Sequence, residues 1–328
     1  MRHQSTVSVV IPTYNGRSFL EDALRSVWQQ TQLPDEVIIV DDASIDQTAD
    51  LADELARRAP VPTRVLRQMR NSGGPARPTN VGVAAAAGDL IAILDQDDVF
   101  LPRKVEAQRR VLESDPTLSF AFGLCASFND PQQILQSDSL VAELISHAEP
   151  RDGWYALCQA RTLARLMSTG MFVRGHPGMM VRRSDWLQKG GLDELLPIAS
   201  DEELVMWLLL RGRAGFVAEP HYLRRTHSSN ASDDRAQIRI DNVRIKARYT
   251  ASALRILNGA IEKDEVVGLK NRAAYWAREF GYYRNAAWIH LVSLGYGLDR
   301  LNDVQALAKL VPHYLHRRIA ATRMSLDA

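Results

Sequence analysis

Leu94-Asp95-Gln96-Asp97-Asp98 is the stretch on which the reading of this chain turns. It follows Leu90-Ile91-Ala92-Ile93, a short apolar run of the kind that forms a buried strand, and it leads to Pro102 at the opening of the next helix. Three carboxylates at the C-terminal end of a strand repel one another and lose hydration there. Such a cluster calls for a compensating cation, and a hard divalent metal with oxygen ligands suits it. An acidic loop fully in water is the alternative. The flanking sequence decides between them.

Upstream, strands and helices alternate. Val7-Ser8-Val9-Val10-Ile11 is β-branched and ends at Pro12, as the first strand of a parallel sheet would. Ser18-Phe19-Leu20-Glu21 has the spacing of a capping box, and Leu20, Leu24 and Val27 then share a helical face. Glu36 to Val40 reads as the second strand, turned by Asp41-Asp42-Ala43-Ser44 into a helix from Gln47 to Arg58. Thr63 to Gln68 is a weaker third strand. The loop Asn71-Ser72-Gly73-Gly74-Pro75 precedes an alanine-rich helix ending at Gly88, and Leu90 to Leu94 is the fourth strand.

This order predicts an open, doubly wound α/β sheet with its ligands at the carboxyl ends of the strands. Thr13-Tyr14-Asn15, Asp41-Asp42 and Asp95-Gln96-Asp97-Asp98 then line one sheet edge. Three loops converging on one crevice favour a site over a chance acidic loop. No Gly-x-Gly-x-x-Gly follows the first strand and no Walker-type loop is present, which argues against a dinucleotide dehydrogenase or a P-loop enzyme. Phosphates would have to be held by a metal on the acidic cluster.

Composition sets the outer bounds. With 46% hydrophobic and 24% charged residues over 328 positions, the chain suits one large domain with an appendage, or two domains. A formal charge of +1 gives no global push toward nucleic acid. Cys125 and Cys158, both flanked by apolar residues, read as buried thiols in a reducing compartment rather than a disulfide framework. No apolar run approaches the ~20 residues that cross a bilayer, and Met1 to Ser5 carries no signal-peptide core, so a cytoplasmic location is expected.

Further on, Phe120-Ala121-Phe122 reads as another strand, and Asn129 to Pro150 as a polar, turn-prone loop over the site or an acceptor-binding insert. Gly178 to Arg183 is a strand, followed by the turn Gly190-Gly191-Leu192-Asp193-Glu194 and a helix from Asp201 to Leu210. Beyond Asp233 the texture is helical. Leu269, Ala273, Trp276 and Phe280 form one apolar stripe, which predicts packing against a core. Arg235, Arg239, Arg244, Lys246, Arg248 and Arg255 face only Asp241 among acids, and Arg317, Arg318 and Arg323 follow near the end. Such helices either dock on anionic lipid or present a solvated face.

Taken as an ordered set, these segments resemble family 2 glycosyltransferases, inverting enzymes of the GT-A fold. The matching pieces are Val7 to Gly16, Val40 to Asp46, Ala87 to Asp98, Gly190 to Glu194 with Asp201-Glu202-Glu203-Leu204, and Tyr222 to Asn230. The resemblance implies a Rossmann-like nucleotide-diphospho-sugar transferase domain over residues 1–230 and a C-terminal helical region over 231–328. It implies that Pro12, Tyr14, Asn15, Asp42, Asn80 and Asp95 hold the nucleotide sugar. Asp97, with Asp95 and His227, would hold Mn²⁺ or Mg²⁺, and Asp98 could substitute as a ligand. Asp201 would be the catalytic base, and Arg225 could pair with phosphate. For Asp42 and Asp201 the competing structural role is a helix cap.

Two positions depart from the family pattern. Thr79 stands where the family often has Arg, within Ala76-Arg77-Pro78-Thr79-Asn80-Val81-Gly82, and Ser200 stands where it often has Glu. The expected activity is metal-dependent transfer of a sugar to a glycan or lipid-linked acceptor in cell-surface polysaccharide, lipopolysaccharide or glycolipid synthesis. A peripheral position on the inner face of the membrane would suit such an acceptor, and no nucleic-acid partner is expected. The alternatives are an inactive GT-A-fold binding subunit, which would have no chemical reason to keep Asp42, Asp95, Asp97 and Asp201, and a sugar-nucleotide pyrophosphorylase. The latter would carry a glycine-rich basic loop where Tyr14-Asn15-Gly16 stands.

Overall fold

The β-branched runs of the N-terminal half become the middle of a sheet. The computed structural model describes residues 4–169, 171–196, 198–227 and 234–310. Ser228 to Asn230, Arg317, Arg318 and Arg323 lie outside the described residues. β1 (Val7–Thr13) is buried along its whole length because helices cover both faces of the sheet. It pairs in parallel with β2 (Glu36–Asp41) on one side and β4 (Leu90–Ile93) on the other, and β3 (Thr63–Arg67) pairs in parallel with β2. The connecting helices are α1 (Leu20–Trp28), α2 (Thr48–Arg58) and α3 (Ala76–Ala85). The chain thus returns to the same sheet edge after β1, β2 and β4, as the sequence predicts.

Beyond β4 come the two-residue β5 (Val99–Phe100), α4 (Lys104–Ser114) and β6 (Leu118–Ser127), which is longer than the Phe120–Phe122 run suggests. The stretch expected as a loop, Asn129 to Pro150, instead contains α5 (Asp138–Ser146). Ser137 caps it by accepting a hydrogen bond from the Leu140 N–H, and Leu140 and Leu144 are its buried face. β7 (Glu149–Arg151), β8 (Trp154–Ala156) and α6 (Gln159–Thr169) follow. A 3₁₀ turn at His176–Gly178 leads into β9 (Met179–Arg182), then α7 (Arg183–Lys189), α8 (Ser200–Leu209) and β10 (Arg213–Arg224). β9 runs antiparallel between β4 and β6, so the sheet is mixed rather than fully parallel. Its order among the described residues is β3-β2-β1-β4-β9-β6-β10-β8-β7, with β5 against β10.

Two compact units form. The first comprises residues up to Gln159 with Met171–Gln237, and the second Ala160–Gly170 with the residues from Ile238 onward. The second unit carries most of α9 (Arg235–Leu257), then α10 (Lys263–Glu279) and α11 (Tyr283–Gly295). The apolar stripe on α10 divides: Leu269 and Ala273 are buried as expected, whereas Trp276 and Phe280 are 48% and 43% exposed. Cys125 is buried with its thiol pushed up to about 11 by burial, which keeps it inert; Cys158 is only partly covered. No helix among the described residues is long and apolar enough to cross a membrane.

Candidate active site

At the carboxyl edge of β2, Asp42 is buried and accepts four hydrogen bonds. Gln68 Nε2 donates at 2.6 Å, Asn71 Nδ2 at 3.0 Å, and the Ser72 N–H and Oγ at 2.9 and 2.8 Å. Helix α2 begins after Gln47, with Asp46 accepting from the Thr48 N–H, so Asp42 caps nothing. The carboxylate is held by the β3–α3 loop facing the sheet edge. Beside it, Asn15 sits at φ +48°, and its Oδ1 accepts from the Ile45 N–H at 2.9 Å. Tyr14 stands 42% exposed at the mouth, while Pro12 lies within the buried β1. The expected capping box at Ser18 does not form; α1 is capped at Phe19 without a side-chain hydrogen bond, and Gly16 carbonyl accepts from the Phe19 and Leu20 N–H groups.

The acidic triplet splits into three roles. Asp98 is buried and its Oδ1 accepts from the Arg225 N–H at 3.0 Å, which fastens the end of β10 to the β4 loop. Burial, then Asp95 and Asp97, pushes its carboxyl well up. Asp97 Oδ2 meets His227 Nε2 at 2.8 Å, and the His227 ring stacks on Phe19 with centroids 5.1 Å apart. Asp95 is the carboxyl that feels both Asp97 and Asp201. Burial, then the charges of Asp97 and Asp201, raises its pKa to about 7, against an opposing pull from Arg224. A carboxyl so placed gains from any added cation.

Asp201 lies in the first turn of α8, one residue past Ser200; the N-cap position is Ala199, which makes no side-chain hydrogen bond, so Asp201 is not the N-cap residue although its carboxylate does meet a first-turn N–H. Its Oδ1 accepts from the Glu202 N–H at 2.8 Å. Burial raises its carboxyl, with buried His176 opposing. Asn80 reaches elsewhere: its Oδ1 accepts from the Leu192 N–H at 2.7 Å and its Nδ2 donates to the Leu192 carbonyl at 3.0 Å, so its amide fixes the Gly191–Leu192 turn. Arg225, expected near phosphate, donates to the Asp97 carbonyl and to Asp22, and its guanidinium lies 3.7 Å from the Phe128 ring centroid. Arg224, unflagged in the sequence, is the cation whose field reaches Asp95 and Asp98. His176 was equally missed, because only the antiparallel direction of β9 brings the residues before it to the carboxyl end of β4.

Among the described residues, no three His, Cys, Asp or Glu side chains are arranged to hold a metal ion. Asp97 and His227 offer one oxygen and one nitrogen donor as a pair, beside Asp95 with its raised carboxyl. Two donors next to an excess of carboxylate charge fit a divalent ion whose other ligands come from a bound diphosphate and water.

Known proteins resemble this chain in family sequence and in fold. Residues 8–187 match the sequence model of glycosyl transferase family 2. An uncharacterized glycosyltransferase of Haemophilus influenzae is 28% identical over 203 residues, 62% of either chain. The poly(ribitol-phosphate) beta-N-acetylglucosaminyltransferase TarS of Staphylococcus aureus is 36% identical over 93 residues, 28% of this chain and 16% of that one. The chain therefore spans less than two thirds of the length of these relatives. The crystal structure of S. aureus TarS 1-349 in complex with UDP superposes with a TM-score of 0.58 at 18% identity, over 95% of this chain and 91% of that one. The mannosyltransferase PcManGT from Pyrobaculum calidifontis, in complex with GDP-Man and Mn²⁺, gives 0.58 at 17% identity over 96% and 81%. At such identities the likeness is one of fold.

Proposed function

Because the chain belongs to glycosyl transferase family 2, we propose that its GT-A fold moves a sugar, with inversion, from a nucleotide-diphosphate donor to an acceptor hydroxyl. The observation that carries this reading is the meeting of the Asp97–His227 pair with Asp95, whose carboxyl also feels the charge of Asp201, at the carboxyl edge of the sheet. The donor's nucleoside would lie between Tyr14, Asn15 and Asp42, with Pro12 in the strand beneath. Asp42 can accept from a ring N–H because its charge is already oriented by Gln68, Asn71 and Ser72. Asn80 serves that site from behind, through the Leu192 turn.

Asp97 and His227, with Asp95 alongside, would hold Mn²⁺ or Mg²⁺, which neutralises charge on the departing diphosphate when bound. Asp201 takes the proton of the attacking hydroxyl. Its Oδ1 is occupied by the Glu202 N–H, which leaves Oδ2 as the accepting atom. The raised affinity of this carboxyl for a proton suits a base, since a strongly acidic group would not hold what it removes.

The acceptor would be a glycan or a lipid-linked sugar of the cell surface. Peripheral attachment to the inner face of a membrane is supported by the second unit, where Tyr275, Trp276 and Phe280 form an exposed aromatic row with centroid spacings of 5.2 and 6.1 Å. Arg278 lies 5.5 Å from the Tyr275 centroid. Arg244, by contrast, is drawn inward to Tyr282 Oη at 2.9 Å, so not all of the basic run faces out.

The test is donor turnover across a panel of sugar nucleotides with Mn²⁺, with and without excess EDTA, for the parent protein and Asp97→Ala. Turnover that needs the metal and is lost in the variant is expected. Undiminished turnover in EDTA would remove the metal from the mechanism, and no turnover with any donor would favour an inactive binding subunit.

A further inference from the structure

Between the two acids that the donor and metal would use stands an amide. β1 and β4 lie side by side, and their ladder ends at Val10↔Ile93, with one more bond from the Leu94 N–H to the Val10 carbonyl. Past that point the two chains would part, and the backbone of Tyr14 would be left without a strand partner. Gln96 takes the partner's place. Its Oε1 accepts from Thr13 Oγ1 at 2.7 Å and from the Tyr14 N–H at 2.8 Å, and its Nε2 donates to the Tyr14 carbonyl at 3.0 Å. One side chain therefore satisfies both polar backbone groups of Tyr14, as a strand would.

On the other side the same loop is held by β2's turn: the Asn15 N–H donates to Ser44 Oγ at 2.9 Å, and Asn15 Oδ1 accepts from the Ile45 N–H. The left-handed φ of Asn15 makes the bend between the two clamps. Room for the amide depends on Gly16. A Cβ added there would lie 2.1 Å from Gln96 Oε1, far inside contact distance.

We propose that Gln96 is the positioning residue that ties the nucleoside wall at Tyr14 to the acidic strand end, so that Tyr14 stands in a fixed place relative to Asp95 and Asp97. This rests on the reading of Tyr14 and Asn15 as part of the donor site. Gln96 touches no reacting atom; it acts through the Tyr14 backbone. Losing it leaves a loop that still folds, because Ser44, Ile45 and the Gly16 carbonyl cap hold the rest, but that presents Tyr14 as a spread of positions. The cost falls on donor binding and not on the chemical step.

The experiment uses Gln96→Met, which keeps length and removes all three hydrogen bonds, Gly16→Ala, which displaces the amide from the opposite side, and the double variant. Gly16 does not have a positive φ, so alanine there acts through the Gln96 amide and the Thr13 Oγ1 it holds, which a Cβ would meet at 3.0 Å, and not through backbone strain. Binding of UDP and of GDP with Mn²⁺ is measured by calorimetry, with steady-state transfer alongside. For whichever nucleotide the parent binds, Kd and the donor KM should rise about tenfold in each single variant, with kcat within about twofold. The double variant should be no worse than either single, because both remove the same clamp. Unchanged Kd in a folded Gln96→Met variant would overturn the proposal, and so would independent, additive losses in the double. A drop in kcat at constant KM would also overturn it, by placing Gln96 in the chemistry. If the parent binds neither nucleotide and turns over no donor of the panel above, the donor-site reading itself fails.

Discussion

Replacing Asp201 by Asn separates a catalytic base from every structural role the residue could have. The Asn side chain keeps an oxygen for the Glu202 N–H, which now sits 2.8 Å from Asp201 Oδ1, and presents an amide nitrogen where Oδ2 was. It cannot take a proton. A positioned base contributes roughly 10²–10⁴ in rate, which is about 2.7–5.4 kcal/mol of barrier at 1.36 kcal/mol per decade. Stability should move the other way. A carboxyl whose folded pKa is raised binds its proton more tightly in the native state, so its ionised form costs stability at neutral pH. Asn removes that cost, and because it keeps an oxygen for the first-turn Glu202 N–H the helix end stays satisfied. The assay is transfer at saturating donor and metal, paired with donor binding and a melting curve. Expected are a loss of at least about 100-fold in kcat, unchanged donor Kd, and a Tm equal to or above the parent's. Near-normal transfer by the folded variant would remove Asp201 from the mechanism. The search would then pass to Asp193 and to Glu202, since Glu203 is already paired with Lys189.

With Asp201 as the proposed base, the same raised carboxyl should set the acid limb of the rate profile. Because the base acts deprotonated, transfer should fall with decreasing pH at a point above the ordinary carboxylate value near 3.8, and a profile flat to that value would contradict the assignment. Asp42→Asn should lower stability by about 1–3 kcal/mol, since an amide now faces the Asn71 and Ser72 donors. It should also raise the donor KM more than it lowers kcat; an unchanged KM would leave Asp42 a purely internal fastening. Alanine at Trp276 and Phe280 should reduce flotation with anionic vesicles while leaving transfer to a soluble acceptor intact; equal flotation of parent and variant would exclude this aromatic row as the contact.

Runs of β-branched residues located β1, β2 and β4 because buried parallel strands have few other compositions, and those strands carry the edge where the site lies. Longer-range choices were hidden. Nothing in Gly178-Met179-Met180-Val181 says that its strand runs antiparallel between β4 and β6, since both neighbours are far away in the chain. α5 was obscured by its polar flanks, although Leu140 and Leu144 at i, i+4 after Ser137 were visible. At the site, residue types were readable but partners were not. Asp42 depends on donors 26 to 30 positions downstream, and Asp98 on a backbone N–H 127 positions away, so a short motif could not separate a fastening carboxylate from one that meets ligand. Gln96 was overlooked for a different reason: attention to carboxylates makes an amide between them look like a spacer.

The antiparallel placement of β9 also governs how the protein comes into being on the ribosome. β3, β2, β1 and β4 pair among themselves from the first hundred residues, but the outer edge of β4 has no neighbour until Met179 to Arg182 has been synthesised, and β6 waits for β10 beyond residue 213. For most of translation a short, wholly apolar strand therefore shows open backbone donors and acceptors, the condition under which nascent chains pair with one another. Polypeptides cut between β4 and β9 should accumulate as insoluble material, and those extending past β10 should not. The acidic loop after β4 is also without Asp201, Arg224 and His227 until that late stage. A ribosome-bound fragment would then carry the acidic loop Asp95 to Asp98 without the residues that surround it in the folded chain.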